Sequence, residues 1–220
     1  MDNIQSAPNL TFQQKLTDLL QRRPVIYQFM RFACIGFLNT GLNFLILNFL
    51  SKALNIEKGL ALGAVAAVAF VAAVIQSYLW NRVWTFGNEE GVSVYNNVVR
   101  LFAVGLLGVL AIIFVFVAST FSASEWFYLM ILGAYILFES VLWRHFGFHI
   151  ADFHHEGHSF MVFFVVTLIG LAINSSLVSI FSTYIQIPNT DVDKNIAAAL
   201  ATAVSLFWNF TGYKLIVFKK

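Results

Sequence analysis

Six stretches of mostly apolar residues follow one another along this chain, near 29–50, 60–80, 98–121, 126–146, 160–184 and 196–217. Their lengths constrain the fold more than any other feature. A helix rises about 1.5 Å per residue, so about 20 residues cross the roughly 30 Å hydrocarbon core of a bilayer. Hydrocarbon offers no water to backbone N–H and C=O groups, so only helices and closed barrels cross it. The expected fold is all-α: a polytopic helical membrane protein of six transmembrane helices, built as three parallel helical hairpin repeats. Composition agrees, because the 220 residues are 59% hydrophobic and only 11% charged, against about 25% charged in a soluble domain. Too few charges remain to cover a water-facing surface. That excludes a soluble globular enzyme, a disordered chain and a nucleic-acid-binding module. The net charge of +2 is too small to argue for polyanionic partners. Cys34 is the single cysteine, which excludes an intramolecular disulfide and a cysteine-based zinc site; in its apolar run it reads as a small buried hydrophobe.

The cations divide unequally between the two sets of helix ends. One set carries Lys15, Arg22, Arg23, Arg31, Arg82, Arg100, Arg144, Lys214, Lys219 and Lys220; the other carries Lys52, Lys58 and Lys194. Lys and Arg collect on the cytoplasmic side, so both termini are expected in the cytoplasm, in agreement with an even number of spans. Residues 1–27 are polar and basic, without the apolar core and cleavage site of a signal peptide. Phe12, Leu16, Leu19 and Leu20 fall there at helical spacing, which reads as a cytoplasmic amphipathic segment lying on the membrane surface, with a frayed tail as the alternative. Residues 28–220 form the membrane domain, with hairpins at about 28–86, 97–148 and 159–218.

The hairpins repeat. The ends of the even-numbered helices align without gaps as Ser77, Arg82, Trp84 and Phe86; as Glu139, Arg144, Phe146 and Phe148; and as Asn209, Lys214, Ile216 and Phe218. Each set is a polar residue, a cation, a bulky apolar residue and a phenylalanine at one spacing. The odd-numbered helices align more weakly, through Gly36, Gly105 and Thr167, then Asn39, Gly108 and Gly170, then Asn43, Ile112 and Asn174. Small residues at such positions let helices approach closely in lipid. Hairpins of one orientation are parallel repeats about an axis along the membrane normal. An aromatic residue and a cation at a helix end are also ordinary membrane anchors, and that reading stays open for each instance.

Residues Arg31, Gly36, Asn39 and Thr40, followed by Asn81, Arg82, Trp84, Thr85 and Phe86, resemble the GtrA-like membrane protein family. Its members open with a basic-aromatic stretch, a glycine and an Asn-Thr pair, and close the second helix with Asn-Arg-x-Trp-Thr-Phe. The closing run from Asn209 to Phe218 is similar to the family's last helix. The resemblance is strong over 31–86 and 196–218. Family members usually have four spans, whereas this chain has six, and Glu139, Trp143 and the Tyr213-Lys214 pair depart from the family's asparagine and arginine. The resemblance implies flipping of a polyprenyl-phosphate-linked sugar across the bacterial cytoplasmic membrane for cell-surface polysaccharide synthesis, beside a membrane glycosyltransferase. Membrane lipids are expected as neighbours, with no nucleic acid and no cofactor, and homo-oligomerisation is left open.

Such a substrate requires cations for its phosphate, a polar path for its head and an opening for its tail. Arg31, Arg82, Arg100, Arg144 and Lys214 are the candidate cations, since Arg contacts phosphate bidentately and Lys as a point charge. Asn39, Asn43, Asn81, Asn174 and Asn209 are candidate hydroxyl ligands, with Asn48 and Gln76 as further amides inside the spans; interhelical hydrogen bonding is their alternative role. Trp84 is placed to stack on sugar or to anchor the helix end. Glu139 lies inside a span, where carboxylates are rare and face a cavity or a partner. It is either a substrate or proton-coupling site or the partner of Arg82, Arg100 or Lys214. All five histidines fall in 145–158, read as a solvated loop rather than a metal site because the His-Glu-x-x-His arrangement is missing. No phosphate-cradling loop, nucleophile series or catalytic carboxylate pair is present, so no enzymatic activity is expected. Two other functions stand beside translocation: a non-transporting partner that anchors or positions a glycosyltransferase, and a solute or ion pathway along the repeat axis.

Overall fold

The computed structural model describes residues 24–56, 59–87, 94–121, 123–146, 157–184 and 190–219. These form α1 (Pro24–Ala53), α2 (Gly59–Trp80), α3 (Val94–Thr120), α4 (Glu125–His145), α5 (Gly157–Tyr184) and α6 (Thr190–Gly212). Among the described residues, the first five are long and apolar enough to cross a bilayer. The last, α6, opens with Asp191, Asp193 and Lys194 and is not one of the five, although it pairs with α5 as the second arm of the third hairpin. The amphipathic segment up to residue 23 and the histidine-rich loop at 147–156 lie outside the described residues.

Local chemistry sets the helix ends. Pro24 opens α1, where its fixed φ suits the first turn and its missing N–H is not needed. Beyond Ala53, Asn55 takes a left-handed φ of 54°, and Ile56 N–H bonds the Ser51 carbonyl at 2.8 Å, a standard way to close a helix. Trp80 and Gly212 are each followed by a five-residue π-helical turn, Asn81–Thr85 and Tyr213–Val217. These turns close alike, with Phe86 N–H on the Asn81 carbonyl and Phe218 N–H on the Tyr213 carbonyl, both at 2.8 Å. The middle hairpin ends differently: α4 stays α-helical and Phe146 N–H bonds the Leu142 carbonyl at 2.9 Å. The cation register seen in the sequence thus spans two kinds of helix end.

The centre of the first four helices is α1, which packs on α2, α3 and α4. Ile35, Leu38, Leu42 and Leu45 recur at helical spacing along it and are buried against Trp80, Val104, Ala111, Tyr128 and Tyr135. The α1–α3 contact is a glycine seam. A Cβ on Gly108 would run into the backbone of Phe37 and Leu38, one on Gly41 would lie 2.8 Å from Ala111 Cβ, and one on Gly105 would lie 3.2 Å from Cys34 Sγ. Close approach of this kind maximises dispersion contact, the main attraction between helices in lipid. Gly36, expected to share that role, has open space where a Cβ would go.

The third hairpin docks on α1 and α2 through a second, aromatic core. Its contacts exchange in pairs. Phe29 meets Phe210 at 5.4 Å and Tyr78 meets Phe160 at 5.3 Å. Phe32 meets Phe210 at 5.7 Å, and Tyr78 meets Phe163 at 5.3 Å. Phe86 meets Phe210 at 6.0 Å, and Tyr78 meets Phe218 at 5.9 Å. In the repeat register Phe29 aligns with Phe160, Phe32 with Phe163, Tyr78 with Phe210 and Phe86 with Phe218. The interface is therefore isologous, with a local two-fold passing by the Phe86–Phe218 stack at 4.9 Å.

The seam predicts unequal costs for two similar substitutions. Gly108→Ala should lower the unfolding temperature in detergent, because the clash is with backbone, at a cost of about 1–3 kcal/mol, which outweighs the gain in helix propensity of about 1 kcal/mol. Gly36→Ala should not destabilise the protein. Equal midpoints for the two variants would refute the seam.

Candidate functional site

Both α2 and α4 pack on α1, but their backbones do not meet. Between them lies a cleft of about 330 Å³. Leu42 and Ile46 of α1 form its floor, Ile75 and Leu79 one wall, Leu132 and Ile136 the other. Ile75 and Ile136 are exposed, so the mouth opens on the lipid-facing surface. On the other side of α4 a second groove, of about 430 Å³, runs between α3 and α4 and is lined by apolar side chains and the ring of Tyr135.

A polar bridge crosses the first cleft. Gln76 Nε2 donates to Glu139 Oε1 at 2.9 Å and to the Tyr135 hydroxyl at 2.6 Å. Trp80 Nε1 donates to the same carboxylate oxygen at 2.5 Å, and Tyr135 donates onward to the Leu38 carbonyl at 2.9 Å. Helical spacing brings these groups together: Gln76 and Trp80 stand four residues apart on α2, and Tyr135, Glu139 and Trp143 stand at successive four-residue steps on α4. Trp80 and Trp143 meet edge to face at 5.5 Å and wall one end of the cleft. Gln76 is buried and its Oε1 has no hydrogen-bond partner. Glu139 is therefore held by neutral donors. The ion pair with Arg82, Arg100 or Lys214 weighed from the sequence is not formed, because Gln76 and Trp80 are nearer to it across the cleft. What the cleft offers a ligand is the half-buried Glu139 carboxylate between apolar walls.

The expected cations divide into two groups. Arg31 and Arg100, which align in the repeat, reach across to the ends of the even-numbered helices. Buried Arg31 donates from Nη1 to the Trp84 carbonyl at 2.9 Å and lies 4.1 Å over the Tyr27 ring. Arg100 donates from Nη2 to the Phe146 carbonyl at 3.1 Å and lies 5.0 Å over that residue's ring. Cations satisfy the orphan carbonyls and the negative dipole of a helix C-terminus, and both guanidiniums are engaged in this use. Arg82 is half-exposed, Arg144 exposed, and half-exposed Lys214 lies 5.9 Å from the Phe210 ring.

Other expected ligands serve packing. Trp84 is fully buried, 6.0 Å from Trp80, and has no exposed face to stack on a sugar. Asn81 is also fully buried and returns its Nδ2 to the Ser77 carbonyl at 2.8 Å. Asn174 donates to Ser205 at 3.3 Å, and Asn209 fills the space beside Gly170; both join α5 to α6. Asn39 and Asn43 are half-buried on α1 but do not line the cleft, where Leu42 and Ile46 face instead. Trp80, Tyr135 and Trp143 were not anticipated as site residues. Their four-residue spacing with Gln76 and Glu139 is the signal that marks them.

Fold and site together define a polytopic helical membrane protein with a polar cluster set in a lipid-opened cleft. The model of the family described as GtrA/DPMS, transmembrane domain, matches residues 31–148, and the chain belongs to that family. No curated relative and no solved structure matches it. The matched segment is α1 to α4, the helices that build the cleft, and it stops short of the third hairpin. Membership places the chain in the handling of polyprenyl-linked sugars, a role associated with translocation rather than catalysis.

The bridge has a measurable energy. Interhelical hydrogen bonds in membranes couple by about 0.6 kcal/mol on average and up to about 1.7 kcal/mol. A double-mutant cycle of Trp80→Phe with Glu139→Gln, read by thermal unfolding in detergent, should give coupling in that range. Additive effects would mean that the bond contributes nothing.

Proposed function

We propose that this protein moves a polyprenyl-phosphate-linked sugar between the leaflets of the bacterial cytoplasmic membrane, with both termini in the cytoplasm and cell-surface polysaccharide as the destination of the sugar. The observation that carries the reading is the Glu139–Gln76–Trp80 cluster, set within apolar spans beside a cleft whose rim, at Ile75 and Ile136, is exposed. A lipid-linked head group needs polar acceptors at depth, and its tail must stay in the bilayer while the head crosses. The cleft mouth between Ile75 and Ile136 meets the second need. Arg82 lies two residues beyond Trp80 and Arg144 five residues beyond Glu139, so cations follow the polar cluster on both walls, toward the cation-rich side.

Orientation is tested by labelling. In a variant with Cys34 replaced, single cysteines at residues 55 and 190 should react with an impermeant reagent from outside intact cells, and cysteines at 88 and 156 should not. Outside labelling at 156 would overturn the topology.

Phosphate contact is tested at Arg82. A bidentate grip on phosphate involves charged hydrogen bonds of about 1.5–3 kcal/mol. Arg82→Ala should therefore cut sugar modification of whole-cell polysaccharide by about ten- to a hundredfold, and Arg82→Lys should not restore it. Membrane protein levels are measured in parallel. Full modification by a well-expressed Arg82→Ala variant would shift the role toward anchoring or positioning a membrane glycosyltransferase.

A further inference from the structure

The chemistry of the α2–α4 cleft narrows what it can hold. Its lining residues include no lysine or arginine. Its polar groups are those of Glu139 and Gln76, with the indole N–H groups of Trp80 and Trp143. The N–H donors of Gln76 and Trp80 are already spent on Glu139 and Tyr135, and the hydroxyl hydrogen of Tyr135 is spent on Leu38. Glu139 is the acceptor a ligand can reach, since Gln76 Oε1 is buried. At about 330 Å³ it is at the small end of ligand pockets, which run from about 300 to 1,000 Å³.

We infer that this cleft is the sugar subsite, and that it takes a single uncharged sugar ring through its hydroxyl hydrogens, excluding acidic sugars. The inference rests on the translocation reading for the lipid-linked nature of the ligand. A hydroxyl donates to Glu139, and the apolar sugar face lies against Trp143 and the aliphatic walls. A carboxylated sugar would set a second negative charge beside Glu139 at low dielectric with no cation among the lining residues, and like charges so placed repel strongly. The phosphate stays outside the cleft for the same reason. Arg144 follows Glu139 by five residues, about 7.5 Å along the helix, so sugar and phosphate are read at separate levels of one path.

The test uses the full chain in lipid nanodiscs and three probes: a short-chain polyprenyl-phosphate-glucose, the same lipid carrying glucuronate, and the unglycosylated polyprenyl phosphate. Wild type should bind the glucose lipid at least about tenfold more tightly than the glucuronate lipid, the scale of a like-charge penalty. Glu139→Gln, which keeps shape and removes the negative charge, should collapse that ratio toward unity. Ile136→Trp, at the lipid-exposed mouth where folding tolerates bulk, should weaken binding of the glucose lipid alone. Equal affinity for the two sugars in wild type, or an undiminished ratio in Glu139→Gln, would overturn the inference. Leaflet transfer measured in liposomes separates it from the function on which it rests. Discrimination without transfer ends the translocation reading and keeps the subsite; transfer without discrimination does the reverse.

Discussion

Every polar side chain that enters the hydrocarbon layer must find its hydrogen-bond partner within the protein, because lipid supplies none and each stranded group costs several kcal/mol, about 2–7 by transfer measurements. In this protein several of the partners come from other helices. Gln76 and Trp80 of α2 meet Glu139 and Tyr135 of α4, and Tyr135 passes the chain of bonds to Leu38 of α1. Arg31 of α1 satisfies a carbonyl past the end of α2, and Arg100 of α3 does the same past the end of α4. Asn174 ties α5 to α6. Individually these bonds are modest, but together they fix which helix faces which.

The cleft follows from unequal helix spacing around α1. Gly41, Gly105 and Gly108 allow α1 and α3 to approach at backbone distance, which draws one side of the bundle in. Large residues on α2 and α4, above all Trp80 and Trp143, hold the other side apart while touching only at their rims. A polar bridge between two helices whose backbones do not meet is a joint that side chains alone can open.

The third hairpin is set on the opposite side of α2. Val74 and Tyr78, in the aromatic core shared with α5 and α6, stand two residues from Gln76 and Trp80, a turn of about 200° around a helix of 3.6 residues per turn. The hairpin therefore supports the back of α2 and leaves the cleft mouth to lipid. Its isologous contacts repeat the first hairpin's aromatic face against itself, with Phe86 on Phe218 at the pivot. Each edge-to-face or stacked pair contributes about 0.5–1.5 kcal/mol beyond its buried area, and such contacts need no water to drive them.

Much of this was legible in the chain alone. Apolar runs of membrane-spanning length determined the helices, because lipid admits only helices and closed barrels; the repeat register aligned all three hairpins, and the aromatic contacts exchanged between the first and third follow it. Glu139 stood out because a carboxylate inside a span is rare. Only the tertiary structure decided what these residues touch. Arg31 and Arg100 looked like phosphate ligands until their reach to the Trp84 and Phe146 carbonyls was known, and Trp84 looked like a sugar platform until its burial was. Gly36 and Gly108 are alike in sequence, yet only Gly108 faces a neighbouring backbone. The physical reason is common to all of them: helical periodicity says which side chains share a face, but the direction that face points is set by how the helices rotate and approach, and that depends on contacts between residues far apart in the chain.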